Sequence, residues 1–167
     1  LDGGSTDNCG IANRSLNITS FDCSNVGLNS VQLTVEDTSG NTDTVNATVT
    51  VTEATPPVAM AQDITVQLNS SGQVTVAASS VNNGSTDNCS IAGFALDVNT
   101  FDCSNIGPNP VILTVTDAAG NTDTANAIIT VEDATKPIVS TQNISVQLDG
   151  SGNATIIPAD IDNGSTD

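Results

Sequence analysis

The sequence predicts an all-β protein of tandem two-sheet antiparallel sandwiches, and three observations carry this prediction. The segment Gly-Ser-Thr-Asp-Asn-Cys begins at Gly4 and again at Gly84, and its first four residues recur at Gly164, which gives a period of 80 residues. A fixed period of this kind marks one structural unit per repeat. Apolar and polar residues alternate with the period of two that is typical of strands. The only aromatic residues are three Phe, so Val, Ile, Leu and Ala must fill most of the core.

Alignment of the chain with itself defines one complete repeat. Residues 1–54 align without gaps with residues 81–134, and about 30 of the 54 positions are identical. The segments 53–57 and 133–137 contain proline, which stiffens a connection and cannot donate to a strand ladder, so they look like linkers. We therefore predict the C-terminal part of a repeat in residues 1–54, a complete repeat in 55–134 and the N-terminal part of the next in 135–167.

The complete repeat shows strand patterns from one linker to the next. A turn signal at 69–72 separates its first two alternating segments, which predicts a hairpin. A second turn signal at 117–121 predicts a hairpin between its last two strands. The predicted strands cover residues 64–68, 74–76, parts of 91–101, 111–115 and 125–131. About seven short strands in a unit of this size are typical of a two-sheet sandwich.

Two motifs carry a resemblance to a known family. Ser-Thr-Asp-Asn-Cys at 85–89 and Phe-Asp-Cys-Ser-Asn at 101–105 also occur one period earlier. With the following Val-x-Leu-Thr-Val and Gly-Asn-Thr, this pattern resembles hyalin-repeat (HYR-like) immunoglobulin-like modules, and in its Cys-containing form those of giant surface adhesins and filaments of Bacteroidetes-type bacteria. The resemblance implies tandem Ig-like sandwiches in a secreted or cell-surface protein. The chain departs from antibody domains because it has no Trp.

The chain's four cysteines occupy equivalent positions in the two copies. We predict one disulfide within each repeat, Cys9–Cys23 and Cys89–Cys103, and hence an oxidising compartment. The competing interpretations are a zinc site and a redox pair. Zinc needs four N or S ligands, whereas one repeat offers two thiols and the chain has no His. A redox pair typically has the spacing Cys-x-x-Cys.

The acidic residues have two possible roles. Asp, Gly and Asn recur in the turn segments 37–43 and 117–123, where Asp accepts backbone N–H groups and so favours turn formation. Calcium, however, binds six to eight oxygens of carboxylates, amides and carbonyls. The candidate calcium ligands are Asp87, Asp117, Asp123, Glu132, Asp133, Asp160 and Asp162. A calcium ion at a repeat junction would stiffen it, and identical X-ray scattering with and without calcium would contradict this hypothesis.

Two threonines are candidate glycosylation sites. Asp43-Thr44-Val45 and Asp123-Thr124-Ala125 lie one period apart and resemble the short O-glycosylation sequence of Bacteroidetes. We predict modification at Thr44 and Thr124, which the intact mass would test.

Composition favours a structural function. The net charge of −17 disfavours nucleic acid and anionic lipid, because both are bound through Lys and Arg. General bases and hydrolytic triads usually include His, so we expect no enzyme and no catalytic residues. We predict an extracellular stalk or filament segment of a cell-surface adhesin, with neighbouring repeats, and as a further hypothesis other copies in a fibre, as its partners. No membrane insertion is expected in this segment. The alternative is a module that binds a glycan or a protein.

Overall fold

The computed structural model describes residues 2–167, and strands make up most of its secondary structure. The strands are β1 (Ile11–Leu16), β2 (Gly27–Asp37), β3 (Thr42–Val51), β4 (Ile64–Gln67), β5 (Gln73–Thr75), β6 (Ile91–Leu96), β7 (Thr100–Asp102), β8 (Gly107–Asp117) and β9 (Thr122–Glu132). Two short helices, α1 (Ala78–Val81) and α2 (Pro158–Ile161), and two 3₁₀ turns, Cys23–Asn25 and Cys103–Asn105, complete the list. The predicted all-β class is confirmed. Within this described range no helix has the length and apolarity needed to cross a membrane.

The strands form sheets in a sandwich-like arrangement. The first sheet has the order β1-β2-β3, and both of its strand pairs are antiparallel. The second sheet has the order β4-β9-β8-β6, and a two-stranded antiparallel sheet joins β5 to β7. The hairpin β8–β9 forms at the turn signal 117–121, as predicted, and β2–β3 forms the equivalent hairpin one period earlier.

The predicted hairpin between β4 and β5 is wrong. β4 pairs in parallel with β9, with Ile64 opposite Ile129, so the prediction of entirely antiparallel pairing is also wrong at this edge. The chain turns at Asn69–Gly72 from one sheet to the other, and the Asn69 backbone N–H donates to the Gln73 carbonyl at 3.0 Å. A turn signal identifies a reversal of the chain but not whether the next strand stays in the same sheet.

One hydrophobic core fills the space between these two sheets. Aliphatic side chains of β8 and β9 meet residues just after β4 and β5 and the last residue of α1, and Phe101 of β7 is the one aromatic ring of the cluster. The buried members are Leu68, Val76, Val81, Phe101, Val111, Ala127, Ile129 and Val131. The period-two pattern therefore places the inward-facing residues as the sequence predicts.

The chain divides into two compact units. One comprises the chain up to Val58 together with Thr86–Gly93 and Val115–Asp123, and the other comprises Ala59–Ser85, Phe94–Thr114 and Thr124–Asp167. The first unit thus contains residues from two sequence repeats. Local structure follows the period: the bridge Val58–Thr86 recurs as Ile138–Thr166.

Candidate functional site

A single disulfide joins the two sequence repeats. Cys23 is bonded to Cys89 with a Cα–Cα distance of 5.4 Å and a sequence separation of 66 residues. Cys9 and Cys103 are exposed free thiols. The predicted pairs Cys9–Cys23 and Cys89–Cys103 are therefore wrong, whereas the prediction that cysteines form a structural crosslink holds for Cys23 and Cys89.

Strand geometry explains why the cysteines of the first repeat do not pair. The Thr38 N–H donates to the Gly10 carbonyl at 3.3 Å, which places Cys9 beside the C-terminal end of β2. Cys23 lies in the 3₁₀ turn just before β2 begins at Gly27. β2 has 11 residues, so its ends lie about 33 Å apart. A disulfide needs Cα atoms within about 7 Å.

The second repeat has the same arrangement. The Ala118 N–H donates to the Ser90 carbonyl at 3.0 Å, which places Cys89 beside the C-terminal end of β8. Cys103 lies in the turn before β8 begins at Gly107. Each repeat therefore carries its two cysteines at opposite ends of an 11-residue strand, too far apart to bond to each other.

A reciprocal hydrogen-bonded turn positions Cys23. The Asp22 carboxylate accepts from the Ser24 N–H at 2.9 Å and from the Ser24 hydroxyl at 2.6 Å. The Asp22 N–H in turn donates to the Asn25 side-chain oxygen at 3.0 Å. This is a capping box, and it fixes the backbone of the cysteine within a single turn.

An acidic turn positions the partner cysteine. Oδ2 of Asp87 accepts from the N–H groups of Cys89 at 2.8 Å and Ser90 at 2.9 Å. Asp7 holds Cys9 and Gly10 in the same way, at 2.8 and 3.0 Å. The Ser-Thr-Asp-Asn-Cys motif therefore builds a turn that presents the thiol.

Two further residues link the repeats in the same unit. The Asn121 side-chain amide donates to Glu53 at 2.9 Å and to Asp117 at 2.8 Å. Asp117 is only 2% exposed, and its carboxylate also accepts from the N–H groups of Ala119 and Asn121. Burial raises the pKa of Asp117, but the hydrogen bonds from Asn121 outweigh it and leave the pKa below its usual value. Glu53 lies one period before Asp133, and no motif in the sequence indicated its contact with Asn121.

Most of the candidate calcium ligands form separate hydrogen bonds instead of one shared cluster. Asp133 accepts from the Thr135 N–H at 2.9 Å, Asp160 from the Ile157 N–H at 2.9 Å, and Glu132 from the Gln67 side chain at 3.0 Å. Asp162 accepts from Ser165, and Asp123 lies near the beginning of β9. Across residues 2–167, no group of three or more Cys, Asp or Glu residues could hold a metal ion. The effect of calcium on stiffness stays a prediction.

The two candidate glycosylation sites are accessible. Thr44 lies on β3 and Thr124 at the equivalent position on β9, and both are exposed. Their modification stays a prediction.

Acid is expected to destabilise the fold. The Ser24 and Ser104 hydroxyls, followed by their backbone N–H groups, lower the pKa values of Asp22 and Asp102, and the Asn41 side chain lowers that of Asp37. A carboxyl whose pKa is lower in the folded than in the unfolded chain stabilises the fold above its unfolded pKa of about 3.9. This contribution is lost as the pH falls through the folded pKa.

We therefore expect a constant melting temperature above about pH 5 and a progressive decrease below about pH 4. Circular dichroism between pH 2 and 7 measures it. Asp102→Asn should shift the neutral-pH melting temperature downwards and weaken its dependence on acid. A melting temperature that rises in acid would contradict the assignment.

No protein-family model matches the chain, and no curated protein matches it.

Proposed function

We propose that the chain is a load-bearing segment of an extracellular stalk or filament, built from tandem immunoglobulin-like sandwich repeats of the hyalin type on a cell surface. The observation that carries this proposal is the Cys23–Cys89 bond, which covalently joins two sequence repeats across the linker at residues 53–57. A disulfide is also the crosslink that persists in oxidising, extracellular compartments. Neighbouring repeats of the same chain are the partners.

The position of the bond favours a mechanical role. When a chain is pulled from its ends, tension passes through covalent connections, so residues between two bonded cysteines carry none of it. The linker and strands β2 to β5 all lie between Cys23 and Cys89. The inter-repeat linker is thus protected from extension.

Contacts between the two repeats support the same role. Glu53 at the end of one repeat accepts from Asn121 in a turn of the next at 2.9 Å. Asn121 is held by Asp117, which is buried. A hydrogen-bonded contact beside a crosslink restricts bending at the junction, as a stalk requires. The acidic surface, with a net charge of −17, keeps neighbouring stalks apart by repulsion.

Single-molecule stretching of the chain between its two ends tests this proposal. The bond should exclude the 66-residue interval from extension, so the fully stretched oxidised chain should be about 220 Å shorter than the reduced one. The double variant Cys23→Ser, Cys89→Ser should stretch like the reduced chain under oxidising conditions. The matched double variant Cys9→Ser, Cys103→Ser should behave like the unchanged protein.

Equal stretched lengths for the oxidised and reduced chains would contradict the load-bearing proposal. Saturable binding of the chain to members of a glycan array would instead favour the alternative, in which the repeats are recognition modules.

A further inference from the structure

We propose that Cys103 is one half of a second inter-repeat disulfide, and that its partner is the cysteine of an Asp-Asn-Cys turn in a following repeat. By the same rule, Cys9 pairs with the Phe-Asp-Cys cysteine of a preceding repeat. The array would then carry a ladder of bonds of the Cys23–Cys89 type, one at every junction. The inference rests on the proposed function because it requires a further repeat beside each free thiol.

The first argument is that Cys103 is built like the bonded Cys23. The Asp102 carboxylate accepts from the Ser104 N–H at 2.8 Å and hydroxyl at 2.6 Å, and the Asp102 N–H donates to Asn105 at 3.0 Å. These distances match those around Cys23 to within 0.1 Å. Cys103 is exposed, so its thiol is presented in the same way but has no partner cysteine among residues 2–167.

The second argument comes from the surroundings of Cys103 in its own unit. Its thiol lines a cavity together with Asp133, Thr135 and Asp167. These three residues are the period equivalents of Glu53, Thr55 and Asp87. Asp87 holds the N–H of Cys89, the bonded partner of Cys23.

Asp167 therefore indicates the position of the cysteine that would bond to Cys103. In both earlier copies the equivalent aspartate accepts a hydrogen bond from the backbone N–H of the cysteine two residues later: Asp87 from Cys89 and Asp7 from Cys9. An Asp-Asn-Cys turn placed at Asp167 would bring its thiol to the cavity that Cys103 lines. The partner that fits the cavity beside Cys103 is thus a third copy of the Asp-Asn-Cys turn, which already occurs twice in the sequence.

Gly72 keeps space free for the Cys103 sulfur. The thiol lies 3.7 Å from the Gly72 carbonyl oxygen, to which it donates. A Cβ atom on Gly72 would lie 2.8 Å from Sγ of Cys103, which is closer than real contacts allow. Gly152, one period later, has a similar left-handed φ of +80° but nothing within 4 Å of its Cβ position.

Formation of the bond is a two-electron oxidation. The two thiols each lose a proton and together transfer two electrons to a small disulfide such as oxidised glutathione, which is released as two thiols. The S–S bond of the oxidant breaks and the Cys103 bond forms. In a ladder of this kind, only the short stretch from Cys89 to Cys103 connects one bond to the next, so most of each repeat is shielded from tension.

Disulfide mapping of an extended chain tests the proposal. A copy of residues 88–134 is added after Asp167, which completes the third repeat in register. In this copy the exposed residues Ala95 and Ile112 are changed (Ala95→Ser, Ile112→Val), so that its two cysteine peptides differ in mass from those of Cys89 and Cys103. The protein is oxidised with glutathione and then alkylated. Digestion before aspartate separates Cys89 from Cys103, because Asp97 lies between them. We expect Cys103 to be linked to the added copy of Cys89 and to lose its alkylation, while Cys23–Cys89 remains.

Three variants make the result specific. Cys103→Ser should leave the added copy of Cys89 alkylated, and Gly72→Ala should slow formation of the Cys103 bond. Gly152→Ala should leave its rate unchanged, although the two substitutions impose similar backbone strain. A bond between the two added cysteines, or a Cys103 that stays alkylated beside an intact Cys23–Cys89 bond, would overturn the ladder. Those outcomes would leave the load-bearing role of Cys23–Cys89 intact, whereas equal stretched lengths would refute that role.

Discussion

Removal of the inter-repeat bond by the double substitution Cys23→Ser, Cys89→Ser is expected to lower the free energy of unfolding by about 4 kcal/mol. The bond closes an interval of 66 residues, and its main effect is to restrict the unfolded chain. The loss in stability should therefore appear although Cys23 is itself exposed. Because the chain has neither Trp nor Tyr, urea unfolding is best followed by far-ultraviolet circular dichroism.

The chain offers a matched control for this measurement. Cys9→Ser with Cys103→Ser removes the same two side-chain types at the period-equivalent positions, where both thiols are free and exposed. Surface substitutions without a special contact change stability by less than about 0.5 kcal/mol. Similar losses for the two double variants would show that the bonds lie within the repeats, as the sequence alone suggested.

Most of the fold could be predicted from the sequence because each strand carries its own signal. The alternation in β8 and β9 and the Asp-x-x-Gly-Asn turn between them specify a hairpin in local terms. The parallel pairing of β4 with β9 could not be predicted, since Ile64 and Ile129 are 65 residues apart and no local pattern links them. The short β7 was also expected only in outline, because it has three residues.

The sequence predicted that cysteines form a disulfide crosslink, but not which cysteines are bonded to each other. Equivalent cysteines in each repeat correctly indicated a crosslink, but their nearness in sequence suggested a bond within the repeat. The relevant signal was the length of the strand β2, which carries the chain from the end near Cys23 to the end near Cys9. The contact between Glu53 and Asn121 had no sequence signal of its own, because both residues fit equally well in a solvated turn.

The core of the complete repeat is expected to depend most strongly on Ile129. Its side chain is fully buried, and it lies in the cluster formed between the β4-β9-β8-β6 sheet and the β5-β7 sheet. Ile129→Ala removes three carbons from this cluster and leaves a cavity, so the free energy of unfolding should fall by about 3 kcal/mol. The midpoint of urea unfolding measures the loss, provided that the slope stays the same.

The neighbouring Ile128 provides the matched control for this last prediction. It lies on the same strand but faces the opposite side and is 42% exposed. Its N–H donates to Asp63 at 2.7 Å through the backbone, and an alanine retains that bond. Both substitutions lower strand propensity equally, so the difference between them isolates the cavity, and Ile128→Ala should cost less than about 1 kcal/mol. If Ile128→Ala were the more damaging change, β9 would be shifted by one residue and its opposite face would line the core.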